Sequence, residues 1–214
     1  MYTLYYHPFS FFSLRVVALL AETGLAHELR LVDLSSGEHQ SDAYRQLNPN
    51  CQVPLLVDRD LNLAESNAIL RYLCTRENME SWYPTALGKR VLTEQWLDWN
   101  QCRLSEATRK IVFNTLFAGP AAKQEAIEEG KASLALLLPI LDAALAKGDY
   151  ITGDVPTIAD LSVASCFAQL GLVQIEPQNP AIADWYARMQ SMKGFSVALK
   201  LRDDMMQQFR ANAG

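Results

Sequence analysis

Gln52-Val53-Pro54-Leu55-Leu56-Val57, closed by Asp58-Arg59-Asp60 and followed by Leu61-Asn62-Leu63-Ala64-Glu65-Ser66, is the stretch on which the fold turns. Two short apolar runs, Pro54 to Val57 and Leu61 to Ala64, flank a polar turn, which predicts a hairpin. Ser66 then opens a segment carrying Ile69, Leu70 and Leu73 at helical spacing. A proline at the head of a strand cannot donate a ladder hydrogen bond, so Pro54 belongs at an edge or a special turn. It is either an ordinary trans proline or a cis one that turns the Val53 backbone outward to pair with an extended peptide. Ser66 sits where strand gives way to helix and reads first as an N-cap. The same place suits a ligand, because a helix start offers free N–H groups and a positive dipole end to a carboxylate, while Glu65 can receive an ammonium group. Together these residues describe a site for a short zwitterionic peptide.

Working outward, Thr3 to Tyr6 is β-prone, and Leu14, Val17, Ala18 and Ala21 recur at helical spacing until Gly24. Glu28 to Asp33 alternates as a strand, and Ala43 to Leu47 forms a short helix. The order is β-α-β followed by α-β-β-α. The pattern breaks around Trp82-Tyr83-Pro84, and no strand follows. Leu92, Trp96, Trp99 and Arg103 share one helical face, Leu134, Leu137, Leu138, Leu141 and Leu145 mark a second helix, and two more begin near Thr157 and Ala181. Pro139 predicts a kink or a helix start within the leucine-marked segment. We therefore expect an α/β domain over 1–78, a linker over 79–87 and an all-α bundle over 88–214. Thr157 followed by Asp160 is the spacing of a capping box.

Composition narrows the function classes. At 214 residues and 50% hydrophobic content the chain has material for a real core. With 19 Lys+Arg against 24 Asp+Glu, a net charge of -5 and no basic block, nucleic acid and anionic membrane surfaces are poor partners. Cys51, Cys74, Cys102 and Cys166 form neither a C-x-x-C pair nor a His-completed zinc site, so free thiols in a reducing compartment and no metal are expected. Met1 leads directly into strand-like Tyr2 to Tyr6, and no apolar run approaches the ~18 residues of a membrane helix. A cytoplasmic protein is expected.

The strand at Thr3 to Tyr6, Gln52-Val53-Pro54-Leu55-Leu56, Glu65-Ser66-Asn67-Ala68-Ile69 and the helical second half together resemble the cytosolic glutathione transferase superfamily. The likeness extends to Gly37-Glu38-His39, to Leu47-Asn48-Pro49 and to Gly153-Asp154-Val155-Pro156-Thr157-Ile158-Ala159-Asp160. The resemblance implies a thioredoxin-like N-terminal domain (βαβαββα), a C-terminal helical bundle, a homodimer, to which an apolar and aromatic surface around Trp96 and Trp99 also points, and glutathione as co-substrate held by Val53, Pro54, Glu65 and Ser66, with His39 and Gln52 at its glycine end. It also implies that Glu65 is held in a strained turn.

A thiol with a pKa of about 8.5 is mostly protonated at neutral pH, yet only the thiolate attacks, so such an enzyme must stabilise the anion. Between the first strand and helix, Ser10 stands two residues beyond Pro8 and five before Arg15, which resembles the serine-type phi, theta and zeta classes. Tyr6 resembles the catalytic tyrosine of the other large group, and Ser13 is a third candidate whose simpler role is a helix cap. The absence of a cysteine in this segment counts against the omega and beta classes. Cys51 lies two residues from Val53, as a small buried residue or as a neighbour of the peptide. Phe11, Phe12, Phe113 and Phe117, with Leu116, Met205, Met206 and Phe209, are expected to meet a small hydrophobic electrophile. Peroxide reduction is a second outlet for the same thiolate. A zeta-like isomerase of maleyl diacids is an alternative, although the class's Ser-Ser-Cys run is lacking here. A further alternative is an interaction module that kept the fold and lost the chemistry.

Overall fold

The computed structural model describes residues 1–212, which divide into two compact units, 1–77 with 190–212 and 78–189. In the first, β1 (Tyr2–Tyr6) buries every second residue, Tyr2, Leu4 and Tyr6, as the two-residue period of a strand requires. Helix α1 (Phe11–Thr23) follows; Ser10 caps its start and Gly24 ends it at φ 68, where a side chain would be strained. Strand β2 (His27–Leu31) pairs parallel to β1, α2 (Asp42–Leu47) intervenes, and β3 (Leu55–Asp58) and β4 (Leu61–Leu63) make the expected hairpin before α3 (Ser66–Arg76). The strand order is β2-β1-β3-β4, with β3 antiparallel to both β1 and β4.

This register carries the functional consequence. Tyr6 lies opposite Leu31, Tyr5 opposite Leu55, and Leu56 opposite Leu63. The C-terminal ends of β1, β2 and β4 and the N-terminal end of β3 therefore lie along one edge of the sheet. The segments carrying Ser10, His39, Val53-Pro54 and Glu65-Ser66 all leave from that edge.

The first unit is completed from the far end of the chain. Helix α9 (Lys193–Asn212) packs along α1. The two backbones meet at Gly194, where an added Cβ would lie 2.2 Å from the Ala18 carbonyl oxygen, and the Gly194 N–H donates to Glu22 Oε2 at 2.5 Å.

The second unit is helical. It contains α4 (Leu87–Trp99), α5 (Ser105–Val112), α6 (Gln124–Leu145), α7 (Ile158–Gly171) and α8 (Pro180–Ser191), with π-helical turns at Asn100–Leu104 and Phe113–Phe117. Its centre is α7, buried from Ile158 to Leu170. The capping box forms: the Thr157 hydroxyl accepts from Ala159 N–H, and Asp160 accepts from Thr157 N–H at 2.8 Å. Asp160 also accepts from Ile151 N–H and Trp185 Nε1, so one buried carboxylate ties the start of α7 to a loop and to α8.

Two expectations change here. Of the two outcomes expected at Pro139, a helix start is not what is found: Pro139 lies inside α6, with Leu134, Leu137, Leu141 and Leu145 buried on both sides of it. Trp96 is not a surface residue: it is buried, its ring 4.9 Å from that of Trp99. The exposed large apolar side chains of this unit include Leu87, Val91 and Leu92 on α4 and Leu136 and Ile140 on α6.

Candidate functional site

Ser10 has extended backbone (φ -93, ψ 105), and its Oγ accepts a hydrogen bond from Ser13 N–H at 3.2 Å. A hydroxyl has one proton to give and two lone pairs, so this cap consumes acceptor capacity and leaves the Ser10 proton free to donate. Ser10 is half-buried at the start of α1, where the first-turn N–H groups and the positive dipole end favour an anion. Ser13 is completely buried, with its Oγ facing His7 N–H at 3.4 Å. Tyr6 is buried in the sheet, and burial raises its hydroxyl pKa above the ordinary tyrosine value. His7 is half-buried; its Nδ1 accepts from Phe9 N–H at 3.1 Å, and burial lowers its pKa, with Asp33 opposing and His39 adding to that shift.

The Val53-Pro54 peptide bond is cis. Val53 stands ahead of β3, and among the described residues its N–H and C=O bond neither to a neighbouring strand nor within a turn. Its side chain packs with Val32 and Tyr44. The loop behind it is held firmly: the Gln52 carbonyl accepts from the Tyr44 hydroxyl at 2.9 Å and from Asn48 Nδ2 at 2.8 Å, while the Gln52 side chain is exposed. Cys51 is buried at φ 55 with its Sγ 3.7 Å from the Pro49 carbonyl, a packed loop residue.

Glu65 adopts φ 66 and ψ 107, the positive value expected from the resemblance. Such a conformation costs a non-glycine residue about 1–3 kcal/mol and survives where the surroundings enforce it. The N-cap of α3 is Glu65, with no side-chain cap bond, and Ser66 is the first helical residue. Reading Ser66 as the cap was therefore off by one position. The reason is that the bend is made by the Glu65 backbone rather than by a capping hydroxyl. The α3 N-terminus is consequently left with N–H groups that no side-chain oxygen of the cap residue occupies.

His39 lies in a one-turn 3₁₀ helix (Glu38–Gln40) entered through Gly37 at φ 76, and its Nδ1 is buried without a hydrogen-bond partner among the described residues. Phe11 is buried with its ring 4.1 Å from Phe12, which is half-exposed; in the helical unit Phe113 is exposed and Phe117 half-buried. Phe209 on α9 packs edge-on against Phe9 at 5.7 Å, and Met206 is buried.

Two residues near this edge carried no assigned role in the sequence: His7, and Arg15, completely buried in α1. The signal for Arg15 was available, since it is the one charge inside the apolar run Leu14 to Leu20. No group of three or more His, Cys, Asp or Glu side chains among the described residues is placed to hold a metal ion. No helix among them is long and apolar enough to cross a membrane. All four cysteines are free.

Comparison with known proteins agrees with this fold. Residues 1–75 match the model of the glutathione S-transferase N-terminal domain, and residues 124–188 that of the C-terminal domain. The chain is 34% identical over 197 residues to glutathione S-transferase F10 of Arabidopsis thaliana, covering 87% of this chain and 91% of the relative. It is 31% identical over 205 residues to human glutathione S-transferase theta-1, covering 88% and 85%. A delta-class glutathione transferase from Nilaparvata lugens has the same fold, with a TM-score of 0.88 at 28% identity over 99% of both chains. A thioredoxin-like unit, a helical unit beside it in sequence, and these likenesses over most of its length lead to one conclusion: the chain belongs to the cytosolic glutathione S-transferase superfamily.

Proposed function

We propose that this protein transfers glutathione to small hydrophobic electrophiles, with Ser10 as the serine-type donor that stabilises the thiolate. The observation that carries the assignment is the Ser10 hydroxyl itself. Its oxygen already accepts from Ser13 N–H, so its proton is left to point at an anion, at the one place on α1 where the helix dipole favours negative charge. Lowering a thiol pKa by about two units requires roughly 2.7 kcal/mol, within reach of one hydrogen bond to an anion plus a helix terminus.

The tripeptide would lie extended along the sheet edge. The Val53 N–H and C=O, ahead of the ladder, pair with its cysteinyl backbone. The α3 start at Ser66 takes the γ-glutamyl carboxylate, and Glu65 its ammonium group. His39 and Gln52 serve the glycine carboxylate, and the unpartnered His39 Nδ1 supports that reading. Phe12, with Phe11 stacked behind it, is the aromatic surface of the first unit assigned to the electrophile; Phe113 and Phe117 offer apolar surface in the helical unit. Peroxides are a second class of acceptor for the same thiolate. The protein acts in the cytoplasm as a two-fold homodimer, a state that sedimentation at micromolar concentration reads directly; a pure monomer would refute it.

Glutathione-affinity capture, followed by turnover with an aryl halide, a peroxide and a maleyl diacid, tests the reading. Capture with aryl halide or peroxide turnover is expected. Preference for the maleyl diacid would make the protein an isomerase, and failure to bind would leave a non-catalytic interaction module.

A further inference from the structure

Arg15 is the least expected residue of the first unit. Its neighbours Leu14, Val16, Val17, Ala18, Leu19 and Leu20 are all buried, and Arg15 is itself completely buried among them. A guanidinium does not give up its proton in a protein, so α1 carries a fixed positive charge inside the unit. The charge is directed at two places. Its Nη1 donates to Asn67 Oδ1 at 3.2 Å and, at a longer 3.5 Å, to Ser66 Oγ, both in the first turn of α3. Its plane lies over the rings of Phe12, at 4.9 Å to the centroid, and Phe11, at 5.7 Å, both in the first turn of α1 beside Ser10. One rigid group therefore fastens together the starts of the two helices that frame the peptide site at its thiol end and its γ-glutamyl end.

We infer that Arg15 is a positioning residue for glutathione, acting through Ser66 on the γ-glutamyl carboxylate. The inference rests on the glutathione reading above. The chemistry follows from what a serine hydroxyl can do. With a cationic donor occupying one lone pair, the Ser66 proton is turned away from the protein and toward the ligand, and a hydrogen bond relayed from a cation is strengthened by it. The buried charge also adds to the positive end of α3, behind the carboxylate. Lysine is a poor substitute, because a compact ammonium group lacks the planar guanidinium that lies over Phe12 while its Nη1 reaches Asn67 and Ser66.

The test measures the full-length protein by calorimetry with two probes. One is S-methylglutathione, which has no ionisable thiol. The other is the same molecule with the γ-glutamyl α-carboxylate replaced by hydrogen, titrated at millimolar concentration. Arg15→Lys and Arg15→Met are compared with the unaltered protein, with thermal melting as a check on folding. The expected result is a loss of roughly tenfold or more in affinity for S-methylglutathione, the size of one charge-assisted hydrogen bond. Affinity for the decarboxylated probe should change by less than about twofold, within the scatter of surface effects. In a Ser66→Ala background the Arg15→Lys penalty should largely vanish, because the relay has been removed. Equal weakening of both probes would show that Arg15 only supports the fold, and no weakening of either would also overturn the inference. Should Arg15→Met fail to fold, Arg15→Lys alone decides. If the unaltered protein binds neither probe, the glutathione reading itself is wrong; if it binds and the probes are not discriminated, only the role of Arg15 falls.

Discussion

Replacing Ser10 is the most informative perturbation, because this hydroxyl has one observed task and one proposed task. As the N-cap of α1 it accepts from Ser13 N–H at 3.2 Å, and as the proposed thiolate donor it gives its proton to the ligand. Ser10→Ala removes both, with a cost of about 1 kcal/mol in stability from the lost cap. Ser10→Gly removes the hydroxyl but is tolerated as a cap, at a cost of only about a few tenths of a kcal/mol. The ordinary Ser10 dihedrals impose no strain on either replacement. The lost hydrogen bond to the thiolate, at ~1.5 to 4 kcal/mol, predicts a fall in turnover at neutral pH of roughly 10- to 1000-fold for both variants. Glutathione affinity should hardly change, since the proposed anchors Val53, Glu65 and Ser66 do not include Ser10. Ultraviolet absorbance of the bound thiolate across pH should report a raised thiol pKa, and raising the pH should recover part of the rate. Tyr6→Phe should do little. If Tyr6→Phe abolishes turnover while both Ser10 variants stay active, Tyr6 is the donor and the serine-type assignment is wrong. If Ser10→Ala is inactive but Ser10→Gly is not, the loss came from the cap rather than from the chemistry.

Gly194→Ala should cost about 1–3 kcal/mol or more, because the new Cβ meets backbone atoms of Ala18 and Glu22 that no rotamer change can move; loss of amide-exchange protection across α9 would report it, and native protection would refute it. Asp160→Ala should cost more than about 3 kcal/mol in urea titration, since it orphans the buried N–H donors of Ile151, Thr157 and Trp185, each at about 1–3 kcal/mol; Thr157→Ala should cost about 1 kcal/mol. His7 has a lowered pKa when folded, so below its ordinary value of about 6.5 the unfolded chain binds a proton that the native one resists, and stability falls as the pH drops through that range. His7→Asn should flatten the fall in urea midpoint between pH 7.5 and 5.5, and an unchanged slope would show that His7 does not contribute.

What was legible in the sequence was local. The end of α1 at Gly24, the hairpin at Asp58-Arg59-Asp60 and the box at Thr157 and Asp160 are each fixed by backbone chemistry within a few residues. The positive φ of Glu65 followed from the resemblance rather than from periodicity. What was hidden depends on which surface an element meets. The helix expected from near Ala181 does not separate Lys193–Asn212 as a helix of its own, and the seat of that last helix on α1 depends on the missing side chain of Gly194 meeting Ala18. The same blindness made Trp96 look like surface and left Arg15 as a landmark instead of a participant. The π-helical turns at Asn100–Leu104 and Phe113–Phe117 leave no composition signal, because they are one-residue adjustments that tertiary packing imposes on an otherwise α-helical stretch.

The seat of α9 also has a consequence for biosynthesis. Domains generally fold as units while the chain emerges from the ribosome, N-terminal first. Here the first unit lacks one of its own helices until nearly the whole chain has been made. Throughout the translation of residues 78–189, the face of α1 around Ala18 and Glu22 lacks its α9 cover, so the first unit matures last although its strands are synthesised first.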